Sequence, residues 1–223
     1  MGNVLKKPAN VPSVIVIRRM ESPKYPILLQ KPYHCAMACL QMVAYRHTGR
    51  IFDQEELGVR FGVKIPGSVR RYFRHELSAL TSHNRDEGIC TTGSAEAVTR
   101  FFQEEGLPLV AESFPATPGF LEGLPAWLTE NLAAGYDLWA EYALVEPRTF
   151  LPDRTYLHDS LIIGATADSI TLLDPEPKSR NVRTVPLAEF AERMSGSYGT
   201  QTGILRIRRV EGSIPFPERS AEA

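Results

Sequence analysis

Apolar residues in the first half of the chain recur mainly at helical spacing. From Cys35 to Tyr45 the sequence is almost continuously apolar, and neither Gly nor Pro interrupts it before Gly49. This pattern predicts a helix that is buried on most of its circumference. Further apolar faces, bounded by capping residues, Pro or Gly, predict helices over residues 53–57, 68–80, 94–105 and 125–135.

The second half of the chain carries short apolar runs that have the length of strands. Such runs occupy residues 138–144, 160–165 and 169–173, and a tight turn at Asp168 and Ser169 would join the last two into a hairpin. A helix near 187–194 and a closing strand near 203–208 follow. Helices followed by an antiparallel sheet predict the α+β class.

One domain of two lobes is predicted over residues 13–212. The helical lobe would span about 30–135 and the sheet lobe about 136–210, and a strand is expected near residues 14–18. Residues 1–12 and 213–223 show no periodicity, so we expect them to be flexible tails.

Charge and cysteine content narrow the function classes. Lys and Arg number 25 against 26 Asp and Glu, and the basic pairs are scattered, which does not favour a nucleic-acid partner. No apolar run approaches the roughly 18 residues that a membrane helix needs, so no membrane association is expected. Three cysteines cannot all pair, and Cys35 lies one helical turn from Cys39, which favours a reducing compartment, the cytoplasm. Their spacing with the histidines does not fit zinc, and neither a metal nor a cofactor is expected.

Cys35 is the candidate nucleophile because it lies at the predicted start of a helix. Unpaired amides and the helix dipole favour a thiolate there, and Pro32 fixes the helix boundary close to the sulfur. Cys39 and Cys90 are interpreted as core residues. His34 adjoins the candidate nucleophile, and both an electrostatic and a surface role are open for it.

His158 and Asp174 are the candidate base and its orienting carboxylate. His158 precedes an apolar strand, and Asp174 follows the next one, so a hairpin would bring both side chains to the same end of the sheet. Asp159 is the competing carboxylate, but strand alternation would turn it to the face opposite His158. With Cys35 they predict a Cys-His-Asp catalytic triad, and Gln30 is the candidate oxyanion-hole donor.

These segments resemble papain-like cysteine peptidases of the bacteriocin-processing type, which cleave double-glycine leader peptides, and their free-standing relatives. The resemblance rests on Gln30 to Tyr45, on 53–57, on His158 to Gly164 and on 173–175. It implies the papain-like fold, with an N-terminal helical lobe packed on a C-terminal antiparallel sheet. Ala36 stands where the family usually has Gly, and Gln30 lies one residue closer to the cysteine than is usual there.

Three functions are therefore expected in order. The first is a peptidase that works through a thioester on Cys35, with a peptide as its substrate. The second is an acyltransferase or amide-forming enzyme of a biosynthetic pathway, similar to relatives in butirosin biosynthesis, with an acyl thioester as substrate and a carrier protein as a candidate partner. The third is a catalytically inactive peptide-binding module, which Ala36 and the position of Gln30 motivate.

Overall fold

The structure is a computed structural model that describes residues 25–75, 78–80, 92–146, 154–177, 180–195, 202–210 and 212. In chain order its helices and strands are α1 (Cys35–Thr48), α2 (Gln54–Phe61), β1 (Lys64–Pro66), β2 (Ser78–Leu80), α3 (Ala95–Glu104), β3 (Leu109–Pro115), α4 (Pro118–Glu122), α5 (Leu124–Ala133), β4 (Asp137–Glu146), β5 (Arg154–Ala165), β6 (Ser169–Leu173), β7 (Val182–Pro186), α6 (Leu187–Met194) and β8 (Gly203–Arg209). The candidate strand at 14–18, both predicted tails and Cys90 lie outside the described residues.

A six-stranded antiparallel sheet organises the molecule. Its strand order is β3-β8-β4-β5-β6-β7, and the predicted β5–β6 hairpin is present. The α+β class is therefore confirmed. A separate short sheet pairs β1 with β2 in parallel. None of the helices in the described part of the chain combines the length and apolar character needed to cross a bilayer.

The two faces of the sheet belong to two different cores. Trp139, Leu161 and Leu173 point into a core shared with α1, α2 and α3. Their neighbours Leu138, Ile162 and Leu172 point into a second core shared with α5 and α6. Because successive residues of a strand face opposite sides, each position of β5 is committed to one core.

The helix α1 is the buried helix that the sequence predicts. Nine of its residues, from Ala36 to Ala44, are buried, and it packs against β5. It continues three residues beyond Tyr45 and ends at Gly49, which takes a left-handed conformation with φ of 66°. Glycine adopts this conformation without steric cost, so the helix ends at the first glycine after the apolar run.

The predicted helix over residues 68–80 is wrong. The structure has a single 3-10 turn at Arg70–Tyr72 and then the strand β2. The buried carboxylate of Glu55 accepts hydrogen bonds from the main-chain N–H groups of Arg74 and His75, at 2.7 and 3.0 Å. These amides would be needed inside a helix, so a tertiary contact replaces the helical hydrogen bonds.

Asp137 joins the start of β4 to the end of α1. Its buried carboxylate accepts hydrogen bonds from Tyr25 and Arg46 and lies 2.7 Å from Nε2 of His47. Burial alone would raise the pKa of Asp137, but His47, Arg46 and Tyr25 outweigh it and hold that pKa below its ordinary value. This contact fixes the C-terminal end of α1 to the sheet.

Candidate functional site

The turn before Cys35 is strained. Tyr33 is the one non-glycine residue of the described chain with a positive φ, 64°. The N–H of His34 donates to the carbonyl of Lys31 at 3.0 Å, which closes the turn and directs the chain into α1. Strain of this kind costs on the order of 1–3 kcal/mol and persists only where surrounding contacts enforce it.

Gln54 and the end of β6 hold the segment that enters this turn. The side chain of Gln54 accepts from the N–H of Lys31 and donates to the carbonyl of Leu29, both at 2.9 Å. From the other side, the N–H of Gln30 donates to the carbonyl of Pro175 at 2.9 Å. The segment is therefore clamped between α2 and the sheet.

The thiol of Cys35 contacts a carboxylate. Its Sγ donates to Oδ2 of Asp159 at 3.3 Å, while Oδ1 of Asp159 accepts the indole N–H of Trp139 at 2.7 Å. Cys35 is partly exposed, whereas Asp159 and Trp139 are buried. Both oxygens of the carboxylate are thus engaged, one by the thiol and one by the indole.

The pKa of the Cys35 thiol lies well above its ordinary value. Although the residue is partly exposed, loss of hydration around its sulfur is the main cause, and the negative charge of Asp159 and its hydrogen bond with the thiol raise the pKa further. The main-chain N–H groups of Asp159 and Ala36 act in the opposite direction, because they stabilise negative charge on the sulfur. In this arrangement the thiol is protonated at neutral pH.

His158 and Asp174 lie together, as their spacing predicts. Nε2 of His158 is 2.8 Å from Oδ1 of Asp174, and Oδ2 of Asp174 is 3.1 Å from Nε of Arg183. Burial opposes ionisation of Asp174, but its contacts with His158, the N–H of Glu176 and Arg183 hold its pKa below the ordinary value. The pair is buried and links β5, β6 and β7.

The structure does not bring His158 to Cys35. His158 is paired in register with Tyr142, and the two rings meet edge to face at 5.8 Å, on the side of the sheet that α6 covers. Asp159 is paired with Glu141 on the side that α1 covers. No hydrogen bond joins Cys35 to His158 in the described structure. Their joint action in a triad stays a prediction.

The side chain of Gln30 contacts Glu176 and not the Cys35 sulfur. Its side-chain amide donates to Oε2 of Glu176 at 3.0 Å, and its own Oε1 is buried without a hydrogen-bond partner in the described part of the chain. The N–H of Glu176 in turn donates to Asp174 at 2.9 Å. Gln30 therefore connects the turn before Cys35 to the end of β6, and its oxyanion role stays a prediction.

His34 is a buried residue and not a surface one. Its ring stacks on Phe73 with centroids 5.1 Å apart, and Nδ1 lies 2.8 Å from the carbonyl of Pro32. That backbone hydrogen bond raises the pKa of His34, but burial outweighs it and lowers the pKa. Burial therefore favours the neutral ring. The ring therefore fixes the loop that carries Phe73 beside the N-terminus of α1.

Sequence reasoning missed the partners that organise the site. The sequence pattern offers Asp159 only as a partner for His158, favours core packing for Trp139, and does not single out Gln54. Strand alternation places Asp159 opposite His158, but only the packing of α1 tells which face receives the sulfur. Cys39 is fully buried, which confirms its interpretation as a core residue.

An open groove of about 600 Å³ lies at the edge of the sheet that β3 forms. It is lined by residues of α3, β3 and β8, among them Thr99, Leu109 and Arg208. None of the predicted site residues contributes to it. No group of three or more His, Cys, Asp or Glu side chains within the described ranges could hold a metal ion.

No protein-family model matches the chain, and no curated protein matches it either.

Proposed function

We propose that this protein is a cysteine-dependent acyl-transfer enzyme, and specifically a peptidase, in which Cys35 attacks an acyl carbon and forms a thioester. One observation carries the proposal: Cys35 is the first residue of α1, and main-chain N–H groups and a carboxylate surround its sulfur. Inside a helix the main-chain N–H groups donate to carbonyls of the preceding turn, so a core cysteine there would lack such donors.

The N-terminus of α1 supplies the electrostatics that acyl transfer needs. The first N–H groups of a helix have no partner within the helix, and its dipole favours negative charge at that end. The same N–H groups that stabilise a thiolate can stabilise the oxyanion of a tetrahedral intermediate. Loss of one such donor typically costs about 3 to 4 kcal/mol of transition-state stabilisation.

The papain-like fold is part of the same proposal. It is supported by a helix that begins at Cys35 and packs against β5 of an antiparallel sheet. It is supported as well by the contact of His158 with Asp174 on neighbouring strands of that sheet. The function does not follow from the fold alone, because one fold hosts many activities.

Covalent capture of the acyl group tests the proposal. The protein is incubated with p-nitrophenyl acetate and, separately, with the acetyl thioester of N-acetylcysteamine, and its intact mass is measured. We expect a single acetyl adduct, assigned to Cys35 by peptide mapping, which is then lost to water as acetate. Addition of an amine would give the corresponding amide if the acceptor is an amine.

Two variants serve as controls. Cys35→Ala should form no adduct, whereas Cys39→Ala, which removes the buried cysteine one turn along the same helix, should still form it. The absence of an adduct in the wild-type protein, or its persistence in Cys35→Ala, would contradict the proposal.

A peptide-binding module without turnover is the second candidate. The position of His158 on the face opposite Cys35, together with the raised pKa of the Cys35 thiol, favours it. A module of this kind would retain peptides from a library immobilised on a surface but would neither form an acyl adduct nor release products from them.

A further inference from the structure

We infer that Asp159, and not His158, is the side chain that takes the thiol proton of Cys35 and returns it during acyl transfer. The inference rests on the proposed function, because it names the proton acceptor for the same nucleophile.

The contacts of Asp159 have the order that a nucleophile, its base and an orienting group require. Cys35 Sγ is 3.3 Å from Oδ2 of Asp159, and the indole N–H of Trp139 holds Oδ1 at 2.7 Å. Trp139 is fully buried, and the strand pairing of β4 with β5 fixes its position relative to Asp159. The carboxylate is therefore held in one orientation toward the sulfur.

The groups around the sulfur can hold the charge once the proton has moved to Asp159. Asp159 is 3% exposed, and the buried carboxyl group of Glu141 lies directly across the strand pair from it. The sulfur faces the main-chain N–H groups of Ala36 and Asp159, which stabilise negative charge there.

His158 is committed to other partners on the opposite face. It contacts Asp174, which also contacts Arg183, and its ring packs on Tyr142. A strand residue changes face only if the register shifts by one position. Such a shift of β5 would also exchange the two cores into which its apolar residues point.

One proton passes through Asp159 in each half of the reaction. The S–H bond of Cys35 breaks, Oδ2 of Asp159 takes the proton, and the sulfur electron pair forms a C–S bond with the acyl carbon. The C–N bond of the peptide then breaks, and the leaving amine receives the proton from Asp159. A water molecule next gives a proton to Asp159 while its oxygen forms a C–O bond. The C–S bond breaks, and the proton returns to Cys35.

The first arm of the test measures the thiol without any acyl donor. The rate of Cys35 alkylation by iodoacetamide is followed against pH, with the site assigned by peptide mapping, in the wild-type protein and in Asp159→Asn. Because the negative charge of Asp159 raises the pKa of Cys35, its removal should move the profile to lower pH by about one unit or more, a tenfold change in thiolate. Asp168→Asn, an exposed change in the β5–β6 turn, is the matched control and should leave the profile in place.

The second arm measures turnover of p-nitrophenyl acetate. Nitrophenolate leaves without a proton, and the lower thiol pKa in Asp159→Asn supplies thiolate without a base, so this variant should still acetylate Cys35. Hydrolysis of the thioester needs a base for the water molecule, so the steady-state rate should fall about a hundredfold and the acetyl-enzyme should accumulate. If Asp159 only suppressed the thiol, the variant would turn over faster than the wild type. If Asp159 were only structural, acetylation and deacetylation would change together.

Trp139→Phe is the second variant, used if Asp159→Asn fails to fold. This variant removes the indole N–H and keeps an aromatic ring, and deacetylation should slow about tenfold while acetylation is retained. Unchanged deacetylation in a folded Asp159→Asn would overturn the inference, and so would accumulation of acetyl-enzyme in His158→Asn instead. If the wild-type protein forms no acetyl adduct, the proposed function fails, and the alkylation profiles alone decide whether Asp159 and Cys35 are coupled.

Discussion

His158 and Asp159 are neighbours in sequence, yet their side chains lie on opposite faces of the sheet. His158 contacts Asp174 beside Tyr142, while Asp159 contacts the thiol of Cys35 beside Trp139. The same strand therefore supplies a polar group to each side of the molecule. This separation determines which variants should affect the thiol and which should affect only the sheet.

The wild-type thiol should titrate at a higher pH than a free cysteine. Burial and the charge of Asp159 raise the pKa of Cys35, so at pH 7 its alkylation by iodoacetamide should be slower than that of N-acetylcysteine. The rate should rise as the pH is increased through the thiol pKa. An alkylation midpoint below that of N-acetylcysteine would contradict the geometry around the sulfur.

Asp174→Asn should destabilise the protein without moving the titration of Cys35. The change removes the buried carboxylate that His158 and Arg183 share, and loss of one partner of a buried pair costs about 3 kcal/mol. Urea unfolding at pH 7 measures this cost. The alkylation profile of Cys35 should stay in place, because Asp174 faces the other side. A shift comparable to that in Asp159→Asn would show that the two sites are coupled.

The sequence pattern was sufficient for the elements that the site needs most. The unbroken apolar run from Cys35 predicts α1, and two strand-length runs around Asp168 predict the β5–β6 hairpin. These signals are local, since a buried helix and a tight turn depend on residues close in sequence. The contact between His158 and Asp174 follows from them directly.

Other features depended on contacts between residues far apart in sequence. The segment at 68–80 has helical spacing, but the Glu55 carboxylate accepts hydrogen bonds from two of its main-chain N–H groups. The loop also stacks Phe73 on His34. The sequence pattern does not predict the strands β1, β3 and β7 or the helix α4, each of which contains Pro. Alternation gave the relative faces of His158 and Asp159, but only the packing of α1 could select the face of the sulfur.

Gln54→Ala should weaken both stability and acyl transfer. It removes the side chain that holds the main chain at Lys31 and Leu29, and a buried polar group left without its partner costs about 1 to 3 kcal/mol. The turn before Cys35 would lose one side of its clamp, so acetylation by p-nitrophenyl acetate should slow. Gln103→Ala, an exposed change on α3, is the matched control. Equal effects of the two variants would contradict the role of Gln54.

Glu55→Ala should release the loop that follows β1. The carboxylate of Glu55 binds Lys31 and the N–H groups of Arg74 and His75, and its loss leaves these amides without a protein partner. We expect trypsin to cleave the native variant after Arg71 faster than it cleaves the wild-type protein. Glu56→Ala changes the adjacent exposed residue and should leave the cleavage rate unchanged. If the loop resists trypsin equally in all three proteins, Glu55 does not hold it in place.

The contact of Asp137 with Tyr25, Arg46 and His47 should make stability depend on acid pH. The folded-state pKa of Asp137 lies below its ordinary value. Its contribution is therefore present above about pH 4, where the carboxyl group of the unfolded chain is ionised, and is lost as the pH falls through the lower folded-state pKa. Asp137→Asn should lower the free energy of unfolding by about 3 kcal/mol at pH 7.

Urea unfolding of both proteins at pH 7, 5 and 3 checks this dependence. Other carboxylates with lowered pKa values, such as Asp53 and Glu112, titrate in the same range in both proteins, so only the difference between the two isolates Asp137. That difference should be largest at pH 7 and should narrow toward pH 3. A constant difference would mean that Asp137 supports the end of α1 through packing and not through its charge.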